Sequence, residues 1–113
     1  MKKPEISYET FAQLDVRVGQ ILEAKPVEGS EKLLELTVDL GEVYGTVTIL
    51  SGIAKWYTCE ELKDKKSLFL TNLAPRPMMG KVSQGMLLAL DTSEHEAKMI
   101  DIDQELANGM LLC

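Results

Sequence analysis

The chain has 113 residues and a mass of 12.6 kDa, room for one domain over residues 1–113 and not for a second core. Hydrophobic residues make up 45% and charged residues 27%, which argues against wholesale disorder. The formal net charge is −6, and taken whole that argues against nucleic acid, because phosphate affinity comes largely from Lys and Arg.

The first residues, Met1-Lys2-Lys3-Pro4-Glu5, start positive, but no apolar region follows as a secretory leader requires. Ser7 is placed to cap a short helix through Tyr8–Leu14, with Phe11 and Leu14 on one face. From Asp15 to Ile21 the residues alternate as in a strand, and Gly19 inside it marks a bulge or bend. Pro26 and Gly29 close the segment. Leu34, Leu36, Val38 and Leu40 alternate with Glu35, Thr37 and Asp39, the clearest half-buried strand. A turn over 41–45 leads to a third strand containing Thr46, Val47, Thr48 and Ile49. Thr58 and Glu61 have the spacing of a capping box, so a short helix starts here. Residues 67–73 form a fourth strand. Pro75 and Pro77 then break the chain, and Gly80 marks a turn. The run Met86–Leu90 is a fifth strand suited to burial on both faces. A polar hairpin follows over 91–97, and Met99–Ile102 and Met110–Leu112 each predict a tail strand.

Three strands, a short helix and two more strands predict an all-β OB-fold, a five-stranded Greek-key barrel over about 11–90, with a β-rich tail over about 91–113. Apolar strands beyond a closed barrel need cover, from a two-fold partner or from the chain's own barrel. The apolar runs are far shorter than the roughly 20 residues of a membrane-spanning helix. Cys59 and Cys113, the two cysteines, lie far apart with no metal-ligand spacing, as in a reduced, cytoplasmic chain.

Catalysis has little support. The single histidine, His95, stands in the acidic stretch Ser93-Glu94-His95-Glu96 and reads as a solvated hairpin residue. Cys59 reads as a plain helix-terminal cysteine. No nucleophile elbow, phosphate-cradling glycine loop or metal spacing is present, so neither an enzyme nor a cofactor is expected.

Charge is unevenly spread. Residues 55–85 hold six basic and three acidic side chains, a basic island between acidic ends. Within it, Arg76 between two prolines is held at low entropic cost. Asn72, Lys81, Ser83 and Gln84 add donors, and Met78, Met79 and Met86 add adaptable apolar surface. Spacing alone leaves a nucleic-acid loop and a plain surface loop equally open.

The blocks Asp15-Val16-Arg17-Val18-Gly19-Gln20-Ile21-Leu22, Ser30-Glu31-Lys32-Leu33, Val38-Asp39-Leu40-Gly41, Leu50-Ser51-Gly52-Ile53, Asn72-Leu73-Ala74-Pro75-Arg76 and Gly80-Lys81-Val82-Ser83-Gln84-Gly85-Met86 follow in order. In these the chain resembles the stand-alone tRNA-binding domain family, similar to the C-terminal domain of methionyl-tRNA synthetases. The resemblance implies non-catalytic binding of tRNA by shape, by a homodimer joined through its C-terminal segments. Such a protein acts in trans or assists an aminoacyl-tRNA synthetase. By position it implies RNA contacts at Lys32, Asn72, Arg76, Lys81, Ser83, Gln84 and Met86. Arg76 and Lys81 would neutralise phosphates; Asn72, Ser83 and Gln84 would bond ribose hydroxyls or support the loop. Pro77 and Met79 stand where members often carry basic residues, and Val27-Glu28 where many read His-Pro. Weak, salt-sensitive binding is therefore expected. The same family includes export-chaperone-like proteins, so polypeptide is the alternative ligand.

Overall fold

The computed structural model describes residues 1–113. Its elements in chain order are α1 (Tyr8–Phe11), β1 (Val16–Pro26), β2 (Leu34–Asp39), β3 (Thr46–Ser51), α2 (Cys59–Leu62), β4 (Lys66–Leu70), β5 (Arg76–Met78), β6 (Lys81–Ser83), β7 (Met86–Leu87), β8 (Ala89–Asp91) and β9 (Ala97–Met99).

Alternation decides the faces of the sheet. Along β2, Leu34, Leu36 and Val38 are buried while Glu35, Thr37 and Asp39 point outward. β2 pairs with both β1 and β3; β1 also pairs with β4, and β4 with β7, giving an antiparallel five-stranded order β3-β2-β1-β4-β7. The sheet curls until β3 meets the segment just before β7. There the Gln84 amide N–H donates to Thr48 O at 2.8 Å, Thr48 N–H to Gln84 Oε1 at 3.0 Å, and Leu50 N–H to Ser83 Oγ at 3.0 Å. Two side chains thus stand in for ladder bonds, and the barrel is nearly closed in the expected OB-like arrangement. Gly85 makes the crossing possible: at φ 146° its missing Cβ would lie 2.9 Å from Leu70 O.

Inside sit Ile21, Leu36, Val38, Leu40, Ile49 and Phe69, all fully buried. α2 closes one end with Leu62, also fully buried. Its expected capping box forms: Thr58 Oγ1 accepts from Glu61 N–H at 3.2 Å and Glu61 Oε1 accepts from Thr58 N–H at 2.6 Å. No helix is long and apolar enough to cross a membrane.

The structure departs from the sequence reading at five places. Gly19 is not the irregularity in β1; the register shift lies between Ile21 and Glu23, where β1 has left β4 for β2. Gly19 instead makes room for a ring, since a Cβ there would lie 2.7 Å from Phe69 Cδ1. The segment around Pro77 is not a bare loop. β5 and β6 form a hairpin, turning at Met79 and Gly80, both at positive φ. The run Met86–Leu90 does not make one buried strand: β7 stays in the barrel, whereas β8 leaves it to pair with β9, and Leu90 is 58% exposed. Finally, Met110–Leu112 is no separate strand. It lies along the edge of β1, where Val18 N–H donates to Met110 O and Leu112 N–H to Val16 O, both at 2.9 Å. α1 is likewise shorter than expected, ending at Phe11, although Ser7 caps it.

Candidate nucleic-acid interface

The β5–β6 hairpin stands over the outer face of β2 and β3. Its register pairs Arg76 with Ser83 and Met78 with Lys81, so these four side chains share one face, and Pro77 and Val82 the other. That shared face is turned to the barrel. Ser83 is 1% exposed and its hydroxyl, besides accepting from Leu50 N–H, donates to Gly85 O at 3.0 Å. Lys81 reaches across to β2, its Nζ 2.8 Å from Glu35 Oε1. Between hairpin and sheet runs an open groove of about 410 Å³, lined by Glu35, Thr48, Pro75, Lys81, Val82 and Gln84.

The expected contact residues divide into groups. Lys81 and Gln84 are exposed and line the groove, and Arg76 is exposed on β5, next in sequence to the groove-lining Pro75. Arg76 forms no ion pair, and the Gln84 side-chain Nε2 makes no hydrogen bond, its Oε1 being held by Thr48 N–H. Lys32 lies in the β1–β2 loop, exposed and unpaired. That loop approaches the hairpin tip, where a Cβ on Gly29 would sit 3.2 Å from Met79 Cε. Asn72 is away from the groove. Its Oδ1 accepts from Asp15 N–H at 2.9 Å and its Nδ2 donates to Gln13 O at 2.7 Å, tying the N-terminal segment to the end of β4. Met86 is half-buried opposite Leu70 in the sheet.

The basic island is not one patch. Lys66 donates to the carbonyl oxygens of Gln104 (3.0 Å) and Leu106 (2.6 Å) and so fastens the tail. Lys63 lies by α2 in a separate cleft with Glu23 and Glu60. Arg17, from the first family-like block, is also engaged: Nε donates to Asp15 Oδ1 at 2.9 Å, and the guanidinium packs 5.3 Å from the Tyr44 ring centroid. The Arg17 bond and a Tyr44 hydroxyl bond hold the Asp15 carboxyl below its ordinary pKa, against opposing desolvation. Glu35 is held low in the same way, chiefly by the Lys81 ammonium and with help from Lys25. The residue that sequence reasoning missed is Glu35. Its outward position was legible from alternation, but nothing in the sequence links it to Lys81 on a distant hairpin.

The family described as "Putative tRNA binding domain" matches residues 16–111, nearly the whole barrel and tail. The chain belongs to the tRNA-binding domain family. Among curated members it is 42% identical over 106 residues to the methionine–tRNA ligase of Bacillus subtilis, a match covering 94% of this chain and 16% of that enzyme. It is 40% identical over 112 residues to the methionine–tRNA ligase of Archaeoglobus fulgidus, covering 99% and 17%. The chain therefore spans about one sixth of these enzymes. Among solved members, a MetRS-related protein from Pyrococcus horikoshii superposes with a TM-score of 0.91 at 31% identity, covering 98% of this chain and all of the other. The chaperone CsaA of Bacillus anthracis superposes at 0.86 with 24% identity over 97% of this chain, a likeness of fold.

Proposed function

We propose that this chain binds tRNA by shape and without catalysis, on the face formed by β2, β3 and the β5–β6 hairpin. The observation that carries the reading is the register that puts Arg76 and Lys81 on one side of a Pro-braced hairpin whose Lys81 lines an open groove, in a member of this family. Lys32, Arg76 and Lys81 meet phosphates, and the free side-chain Nε2–H of Gln84 donates to a ribose hydroxyl. Asn72, Ser83 and Met86 serve the site by holding its frame. A mobility-shift titration with mixed tRNA tests this: Arg76→Ala plus Lys81→Ala weakens binding roughly tenfold or more at low salt. Equal affinity removes the site.

The protein works as a homodimer in the cytoplasm, acting in trans or assisting an aminoacyl-tRNA synthetase. Support for the dimer comes from an apolar cleft of about 190 Å³ lined by Tyr8, Phe11, Leu14, Val16 and Leu112 among others. Tyr8 is 77% and Leu112 49% exposed, so the tail that pairs with its own barrel still offers apolar surface. Residues of about 91–113 thus supply the dimerisation segment. A single 12.6 kDa species in sedimentation at micromolar concentration disposes of the dimer.

Polypeptide is the second reading. Met79 and Val82 are 54% and 52% exposed on the hairpin, and a chaperone shares the fold. Peptide binding that tRNA fails to displace favours it.

A further inference from the structure

The groove carries a carboxylate where a polyanion would lie. Glu35 is on the outer face of β2, opposite Lys25 of β1 and Leu50 of β3. Its side chain is only 12% exposed, while Lys25 and Lys81 are 58% and 43% exposed. Glu35 Oε2 lies 3.5 Å from the Lys25 ammonium. Glu35 Oε1 is withdrawn from solvent and has no partner besides the Lys81 ammonium. One sheltered anion therefore serves two cations that stay partly open to solvent.

We infer that Glu35 limits polyanion affinity by holding Lys81 and Lys25 as an internal substitute for RNA phosphate. This deepens the tRNA-face reading and rests on it. A phosphate that draws Lys81 away leaves a desolvated carboxylate oxygen without a partner, which is costly. A phosphate that shares Lys81 with Glu35 meets a like charge close by. Either route weakens binding, and each is relieved by removing the carboxylate's charge. The groove of the free protein is thereby kept near neutral, and Arg76 and Lys32, which no carboxylate pairs, carry most of the phosphate attraction.

Glu35→Gln keeps the shape and removes the charge, and Glu35→Thr removes the charge with a shorter, strand-forming side chain. Mobility-shift titrations with mixed tRNA, run between about 50 and 200 mM salt, compare both with the unaltered protein, Arg76→Ala, Lys81→Ala and Glu35→Gln plus Lys81→Ala. Urea midpoints confirm that each variant is folded. Both Glu35 variants bind roughly three- to fivefold tighter at the lower salt, the scale of a released surface ion pair. Their salt dependence steepens by about one unit of log–log slope for each lysine that gains a phosphate. Lys81→Ala costs more affinity in the Glu35→Gln protein than in the unaltered one. Unchanged or weaker binding by both Glu35 variants, with Arg76→Ala still damaging, overturns the inference and leaves the tRNA face standing. Weaker binding then makes Glu35 a residue that positions Lys81. Should neither Arg76→Ala nor Glu35→Gln alter tRNA affinity, both readings fall together.

Discussion

Replacing Ser83 by Ala separates a brace from a ligand contact. The hydroxyl is 1% exposed and accepts from Leu50 N–H at 3.0 Å, in the seam where β3 meets the segment before β7. Leu50 is itself 2% exposed, so no water replaces the lost acceptor. A buried N–H left without a partner costs about 1–3 kcal/mol. The cavity from one deleted oxygen is small beside that. The hydroxyl's own bond to Gly85 O disappears as well, so about 2 kcal/mol is expected. For a domain of this size that lowers Tm by roughly 8 °C, at about 4 °C per kcal/mol. The assay is urea unfolding followed by far-UV circular dichroism, at one fixed protein concentration because assembly adds to apparent stability. The midpoint falls and the slope stays constant. A midpoint unmoved by more than about 0.5 kcal/mol equivalent, together with a marked loss of tRNA affinity, rules out the brace and makes the hydroxyl a ligand group.

Other perturbations follow from the same packing and charges. Gly19→Ala forces a methyl to within 2.7 Å of Phe69 and 2.8 Å of Leu40; thermal denaturation should register an overpacking loss of about 1–3 kcal/mol. Thr58→Ala removes the N-cap of α2 and costs about 1 kcal/mol by the same measurement. The pKa values of Asp15 and Glu35 are depressed in the folded protein, so their stabilisation is complete above the ordinary carboxylate values of 3.8 and 4.5 and is lost as pH falls below them. Melting temperatures from pH 7 down to pH 3 should therefore decline at the acid end, and less steeply for Asp15→Asn. Leu112→Asp puts a charge into the apolar cleft beside Phe11 and should shift light scattering towards the monomer mass, since an unpaired buried charge disfavours association.

The barrel was legible because strand alternation and cap chemistry are local. β2 and the Thr58 capping box follow from residues within a few positions of one another, and both form as expected. What escaped depended on partners distant in sequence. Gly19 looked like a bend because a glycine in a strand gives no sign of which ring covers it, and here Phe69 does. The prolines at 75 and 77 suggested a break, yet Pro77 sits in a two-stranded hairpin, which tolerates the missing N–H as an edge does. The apolar run from Met86 looked uniform, but pairing with β4 stops at Leu87 and the chain turns outward. At the candidate site, residue types pointed to the hairpin but not to its electrostatics. Lys66 and Arg17, equally cationic on paper, are spent on the tail and on Asp15, and Lys81 is tied to Glu35. Ser83 and Asn72 offered donors in the sequence; the fold engages both in internal bonds.

Docking of RNA on the hairpin side of the β2–β3 face is open to amide chemical-shift mapping of the isotope-labelled protein during titration with mixed tRNA. Shifts are expected to concentrate at Lys32, Thr48, Arg76, Lys81 and Gln84 and to fade as salt is raised. Shifts gathered instead around Trp56 and Leu90, or none at tRNA concentrations that saturate a mobility-shift assay, contradict it.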